Sequence, residues 1–131
     1  MAEIRRHLEA KQVEPATVDA AVAELHEQGY LDDARFAQRF AEDRRALDAW
    51  GAERIERKLR DAGVAPEHVA AALSAQSADD ERAAAIALLS RRLGAPPHDD
   101  RSRERALGLL VRRGYDLELA YDAVRAFERA A

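Results

Sequence analysis

Apolar positions in this chain of 131 residues recur at two periods at once. Locally they fall three or four residues apart: Ile4 with Leu8, Ile55 with Leu59, Ala106 with Leu110. That spacing lines one face of a helix. Over longer range the pattern returns after fifty-one residues, from Ile4, Leu8 and Val13 to Ile55, Leu59 and Val64, and on to Ala106, Leu110 and Tyr115. The register continues through Val18, Val69 and Ala120, then Val22, Leu73 and Val124, and Pro15 has its counterpart in Pro66. Such agreement over five positions, found twice, predicts three copies of one helical unit.

Punctuation between the apolar stripes sets the elements. Gly63 and Gly114 end the first helices of units two and three, because glycine accepts the left-handed conformation just past a helix. The apolar residue that follows each supplies the contact closing such an end. Pro15 and Pro66 suit the first turn of the next helix, where no amide donor is needed. Gly29 stops the second helix of unit one, Tyr30 and Leu31 turn the chain, and Asp32 or Asp33 caps a third. Phe36 and Phe40 are expected along the buried edge of that helix. In unit two Asp79 and Asp80 are expected to cap, with Ile86, Leu89 and Leu93 as the apolar stripe, before Gly94-Ala95-Pro96-Pro97 forms a linker. Tyr121, Val124 and Phe127 continue the stripe of the last helix. The fold class is all-α, with about eight helices in tandem three-helix units forming an elongated, curved body. The units are placed at 1–50, 51–94 and 95–131, the last a connector followed by two helices.

Composition narrows the chemistry. Alanine supplies 30 residues, hydrophobic types 47% and charged types 35%, a mixture of amphipathic helices rather than a disordered tail. The longest apolar runs fall far short of a membrane-spanning helix. Cysteine is missing from this sequence, which removes a disulfide framework, a zinc ribbon and a thiol nucleophile together. His7, His26, His68 and His98 have no histidine partner at helical spacing, so no metal site is expected. Asp32-Asp33 and Asp99-Asp100 precede helices, where capping accounts for them. Neither a phosphate loop nor a nucleophile elbow occurs, so no enzymatic activity and no cofactor are expected.

Net charge is −4, and 19 of the 21 basic residues are arginine. A dedicated nucleic-acid binder usually has a pI above about 9, and this chain's is 5.6. Arg35, Arg39, Arg44 and Arg45 nevertheless run along one helix, Arg57 follows on the next, and Arg91 and Arg92 close another. One reading is a solvated face whose cations complement helix dipoles. The other is a partner-facing surface.

Three motifs carry a family resemblance. Gly29-Tyr30-Leu31-Asp32-Asp33-Ala34-Arg35-Phe36-Ala37 comes first. Gly51-Ala52-Glu53-Arg54-Ile55, continuing through Leu59 to Gly63, is the second, and Leu110-Val111-Arg112-Arg113-Gly114-Tyr115 the third. In that order and at those distances the chain resembles the RecX family over nearly its whole length. The resemblance implies a fold of tandem three-helix units and a regulatory role: binding the RecA recombinase filament and, as a rule, inhibiting filament growth, ATP hydrolysis, strand exchange and repressor cleavage. Missing cysteine and the lack of a basic, then apolar start lead to the expectation of a cytoplasmic protein, expected as a monomer. The acidic pI, a departure from that family's more basic members, leads to DNA being met only weakly or through the filament. The resemblance also makes this a member that begins late, without the leading helix many members carry. The partner surface is then assigned to Arg35, Arg39, Arg44, Arg45, Arg57, Arg91 and Arg92. Two alternatives stand beside it, a tandem helical nucleic-acid binder and a helical adaptor for an unrelated protein.

Overall fold

Alanine allows helices to cross closely, and among the described residues Ala37, Ala41, Ala72, Ala85, Ala106, Ala120 and Ala123 are all fully buried. The computed structural model describes residues 32–130 together with Gly29. Helix α1 covers residues 32–43 and runs directly into a π turn at Arg44–Asp48. Then follow α2 (Ala52–Asp61), α3 (Pro66–Ser74), α4 (Ala78–Leu93), α5 (Asp100–Arg112) and α6 (Leu117–Arg129). Among the described residues there are thus six helices, with the π turn counted as the end of α1, and no strand. The two further helices expected in unit one, with Ile4, Leu8 and Tyr30, lie outside the described residues.

Helix ends follow the chemistry of their residues. At the end of α2, Gly63 takes φ +82, its amide donates to Arg60 O at 3.0 Å, and Val64 N reaches Leu59 O at 3.1 Å. Gly114, at φ +97, repeats both bonds: its own amide to Val111 O and Tyr115 N to Leu110 O, each at 3.0 Å. These are the paired bonds of a Schellman ending, as expected from sequence. Pro66 opens α3 in its first turn. Asp99 caps α5 in a reciprocal box with Ser102, and hydrogen bonds from the Ser102 hydroxyl and amide hold its carboxyl below the usual carboxylate range. The start of α4 differs from expectation. Ser77 is the cap, accepting from Asp80 N at 3.0 Å, while Asp79 and Asp80 lie inside the first turn, where their charge favours the positive end of the helix.

Two hydrophobic clusters form. One joins α1, α2 and α3 through Ala37, Ala41, Ile55, Leu59, Val64, Val69 and Ala72. The other joins α4, α5 and α6 through Leu88, Leu89, Ala106, Leu110, Tyr115, Ala123, Val124 and their neighbours. Each fully buried aliphatic side chain contributes roughly 1.5–3 kcal/mol. The register residues Ile55, Leu59, Ala106 and Leu110 are all at 1% exposure or less. A tandem array can be divided at more than one helix: the sequence period starts at α2 and α5, whereas the shared cores start at α1 and α4.

Three apolar residues assigned to stripes face outward instead. Phe36 is 46% exposed, Tyr121 43% and Leu93 37%. On α1 the buried positions are Ala37 and Ala41, one residue on from Phe36 and Phe40, so α2 lies against the methyl face and Phe40 is only partly covered. On α4 the core takes Ala85, Leu88 and Leu89, which leaves Leu93 past the last covered turn.

Candidate partner interface

The arginines divide by what α1 does at its end. Arg35 and Arg39 lie on its open side, exposed, with Asp32 4.0 Å from Arg35. Together with Phe36 they line a shallow depression of about 340 Å³. Arg57 is exposed on α2, and Arg91 and Arg92 are exposed at the end of α4. Asp33 is helical and half-buried, and Gly29 is buried.

Arg44 and Arg45 have internal work. The π turn swings Arg45 back under α3, where it donates to Ala72 O at 3.0 Å and Leu73 O at 3.4 Å. Those carbonyls end α3, so the guanidinium acts as its C-terminal cap; burial lowers the Arg45 pKa, and Glu81 and Glu42 oppose that shift. Arg44 pairs with Asp48 and lies 5.8 Å from the Phe40 ring centre and 5.9 Å from that of Trp50. Arg103 ties α5 to α6 by donating to Glu128 at 2.7 Å. That ion pair raises the Arg103 pKa.

Between the two cores runs a joint that sequence reasoning did not assemble. Ala49 adopts a left-handed conformation, φ 55, and its methyl group enters the second core. Its carbonyl accepts the buried Tyr115 hydroxyl at 2.8 Å. Gly51 offers no side chain to cap α2, and the α4–α6 half supplies the acceptors. Gly51 N donates to Arg113 O at 2.8 Å, Ala52 N to the Glu81 carboxylate at 2.6 Å, and Glu53 N to Gly114 O at 2.9 Å. Three amides that a helix start leaves orphaned therefore meet the carbonyl end of α5 and a carboxylate from α4. Arg54 crosses the joint to Arg112 O at 3.1 Å while its guanidinium lies 4.2 Å from the Trp50 ring centre, and Arg113 reaches back to Asp48 O. Every described partner here comes from the second and third motifs, from Glu81, or from residues 48–50 at the end of the π turn and just after it. The motifs were visible in the sequence. Their meeting was not, because sixty-three residues separate Gly51 from Gly114.

Phe40 completes the wall, its ring 6.0 Å from Trp50 edge-on and 5.8 Å from Phe36. Among the described residues no group of histidine, aspartate and glutamate side chains could hold a metal ion, and no helix is long and apolar enough to cross a membrane.

Tandem three-helix units of this kind define a class of helical repeat protein. Residues 32–73 match the family model described as "RecX, second three-helix domain", spanning α1 and α2 and ending within α3. Regulatory protein RecX of Stenotrophomonas maltophilia (strain R551-3) is 37% identical over 115 residues, covering 87% of this chain and 69% of that protein. The protein of the same name from Thermobifida fusca is 34% identical over 127 residues, 95% of this chain and 68% of its own. That of Trichlorobacter lovleyi is 36% identical over 122 residues, 90% and 79%. A crystal structure of RecX from Lactobacillus salivarius shares the fold, with a TM-score of 0.74 at 14% identity over 98% of this chain and 84% of that one. The chain belongs to the RecX family, a family of regulatory proteins.

Proposed function

We propose that this protein binds the RecA recombinase filament and holds down its recombination, ATPase and coprotease activities. Membership in the RecX family over most of the chain is the observation that carries this reading. Exposed Arg35, Arg39, Arg57, Arg91 and Arg92, spread over both cores, support it. Guanidinium groups suit bidentate contact with carboxylates on protein and with phosphates on the DNA the filament carries. Arg44 and Arg45 serve the surface by holding the π turn and the end of α3 in place. A body spanning several filament subunits obstructs the groove through which duplex or repressor enters. The protein acts in the cytoplasm as a monomer without cofactor, and its repeat units are 1–50, 51–94 and 95–131.

The test is titration into recombinase assembled on single-stranded DNA with ATP. Falling ATP hydrolysis and co-sedimentation with the filament are the expected results. Unchanged hydrolysis with no co-sedimentation would overturn the reading. Tight binding to naked DNA that collapses between about 50 and 200 mM salt, with no effect on the recombinase, would favour the nucleic-acid reading instead.

A further inference from the structure

The two cores do not merge: apart from the Ala49 methyl group, no residue from α1 to α3 enters the second cluster. Their relative orientation therefore depends on the joint and on the short α3–α4 connection. The joint is built for close tolerance. A Cβ placed on Gly51 would lie 2.6 Å from the backbone of Gly114 and Tyr115, and one on Gly114 would strike the Arg54 Cβ. Backbone bonds, a left-handed alanine and a buried tyrosine hydroxyl all converge on this contact. Left-handed alanine is a conformation that persists only where its surroundings over-determine it. A helix start docked on a helix end has one seat, and Gly51 against Gly114 defines it.

We infer that the Gly51–Gly114 joint determines selectivity for a polymer over its free subunit, by holding the arginines of the first core (α1–α3) and those of the second (α4–α6) at one fixed separation. This rests on the proposed reading of the protein as a filament binder. A ligand with one site per subunit, repeated at regular spacing, is gripped at two sites at once only if the binder's two patches match that spacing. The second contact then forms at high effective concentration, with a gain of 10²–10⁴ that vanishes when the geometry is lost. A free subunit offers one site and gains nothing from the joint.

The experiment compares full-length wild type with Gly51→Ala and with the milder Tyr115→Phe. Affinity is measured for recombinase filaments on single-stranded DNA and for a recombinase variant that does not polymerise. Amide hydrogen exchange at Gly51 and Glu53 reads whether the joint has opened, and exchange within α3 and α6 reads whether each core is intact. With the joint open and the cores intact, filament affinity is expected to fall at least tenfold while subunit affinity stays within twofold. Equal losses for filament and subunit, or filament affinity unchanged with the joint open, would overturn the inference and leave the filament reading standing. So would a tenfold loss with exchange at Gly51 and Glu53 unaltered. Wild type that binds neither species overturns the filament reading itself, and the joint's selectivity with it. Should Gly51→Ala fail to fold, Tyr115→Phe decides between the same outcomes.

Discussion

The turn after α2 and the turn after α5 have the same local structure. Both end on a glycine at positive φ, both close with the same two backbone bonds, and both deliver a buried residue into a core. Their surroundings are opposite. Nothing lies within 4 Å of a Cβ built on Gly63, whereas one on Gly114 would strike Arg54. After the first glycine comes Val64, which needs only apolar cover. Tyr115 follows the second, and its hydroxyl reaches across to the Ala49 carbonyl. One local motif thus serves two purposes: to stop a helix, and to stop a helix while seating the start of another.

The sharpest break in this comparison comes from alanine at the two glycines. Gly63→Ala should cost about 1–2 kcal/mol, the strain of a left-handed alanine. Gly114→Ala carries that strain and about 1–3 kcal/mol more, because backbone must shift to admit the methyl group. Urea denaturation of both variants checks the difference. Equal losses would mean the joint yields freely and the two turns are equivalent in energy as well as in shape.

Phenylalanine truncation tests the wall beside the joint. Phe40→Ala should cost about 2 kcal/mol, below the 3–5 kcal/mol of a fully buried ring. Phe36→Ala should stay under about 1 kcal/mol, since nearly half the residue is open to solvent. A loss at Phe36 as large as that at Phe40 would place it in a core after all.

Tyr115→Phe removes one buried hydrogen bond and leaves a carbonyl unpaired, about 1–2 kcal/mol at neutral pH. It should also change how stability depends on pH. Burial pushes the Tyr115 hydroxyl up to about 12, with Glu81 adding to the shift and Arg113 and Arg91 opposing it. The folded state therefore holds a proton that the unfolded chain releases near 10. The associated stability is whole below about pH 10 and is lost as pH rises toward 12. Alkaline melts of wild type should fall across that window more steeply than those of Tyr115→Phe; parallel curves would show that Tyr115 is not the group responsible.

The smallest effects belong to the starts of α4 and α5. Ser77→Ala should cost about 1 kcal/mol, and Asp80→Ala less than that, because Asp80 contributes charge and its backbone amide rather than the cap. Acid should weaken the Asp99 cap as pH falls through the lowered pKa of that carboxyl. Thermal melts of these variants, and of wild type from neutral to acid pH, distinguish a capping role from a charge role.

Much of the architecture was legible before any coordinates. Helical period and glycine stops placed α2, α3, α5 and α6, because these depend on neighbours three to five residues away and on the conformations a single residue tolerates. Ile55, Leu59 and Leu110 were readable as core for the same reason. Tertiary structure alone decided which of two adjacent apolar residues faced inward. On α1 the alanines won over Phe36, since close approach of α2 leaves no room for a ring. It also decided the fate of the arginines: identical in sequence, Arg45 ends beneath α3 and Arg39 in water, because only the π turn rotates one of them inward. The joint lay furthest from reach. Its bonds run between backbone atoms some sixty residues apart, and the residue at its centre is glycine, whose importance lies in the atoms it lacks.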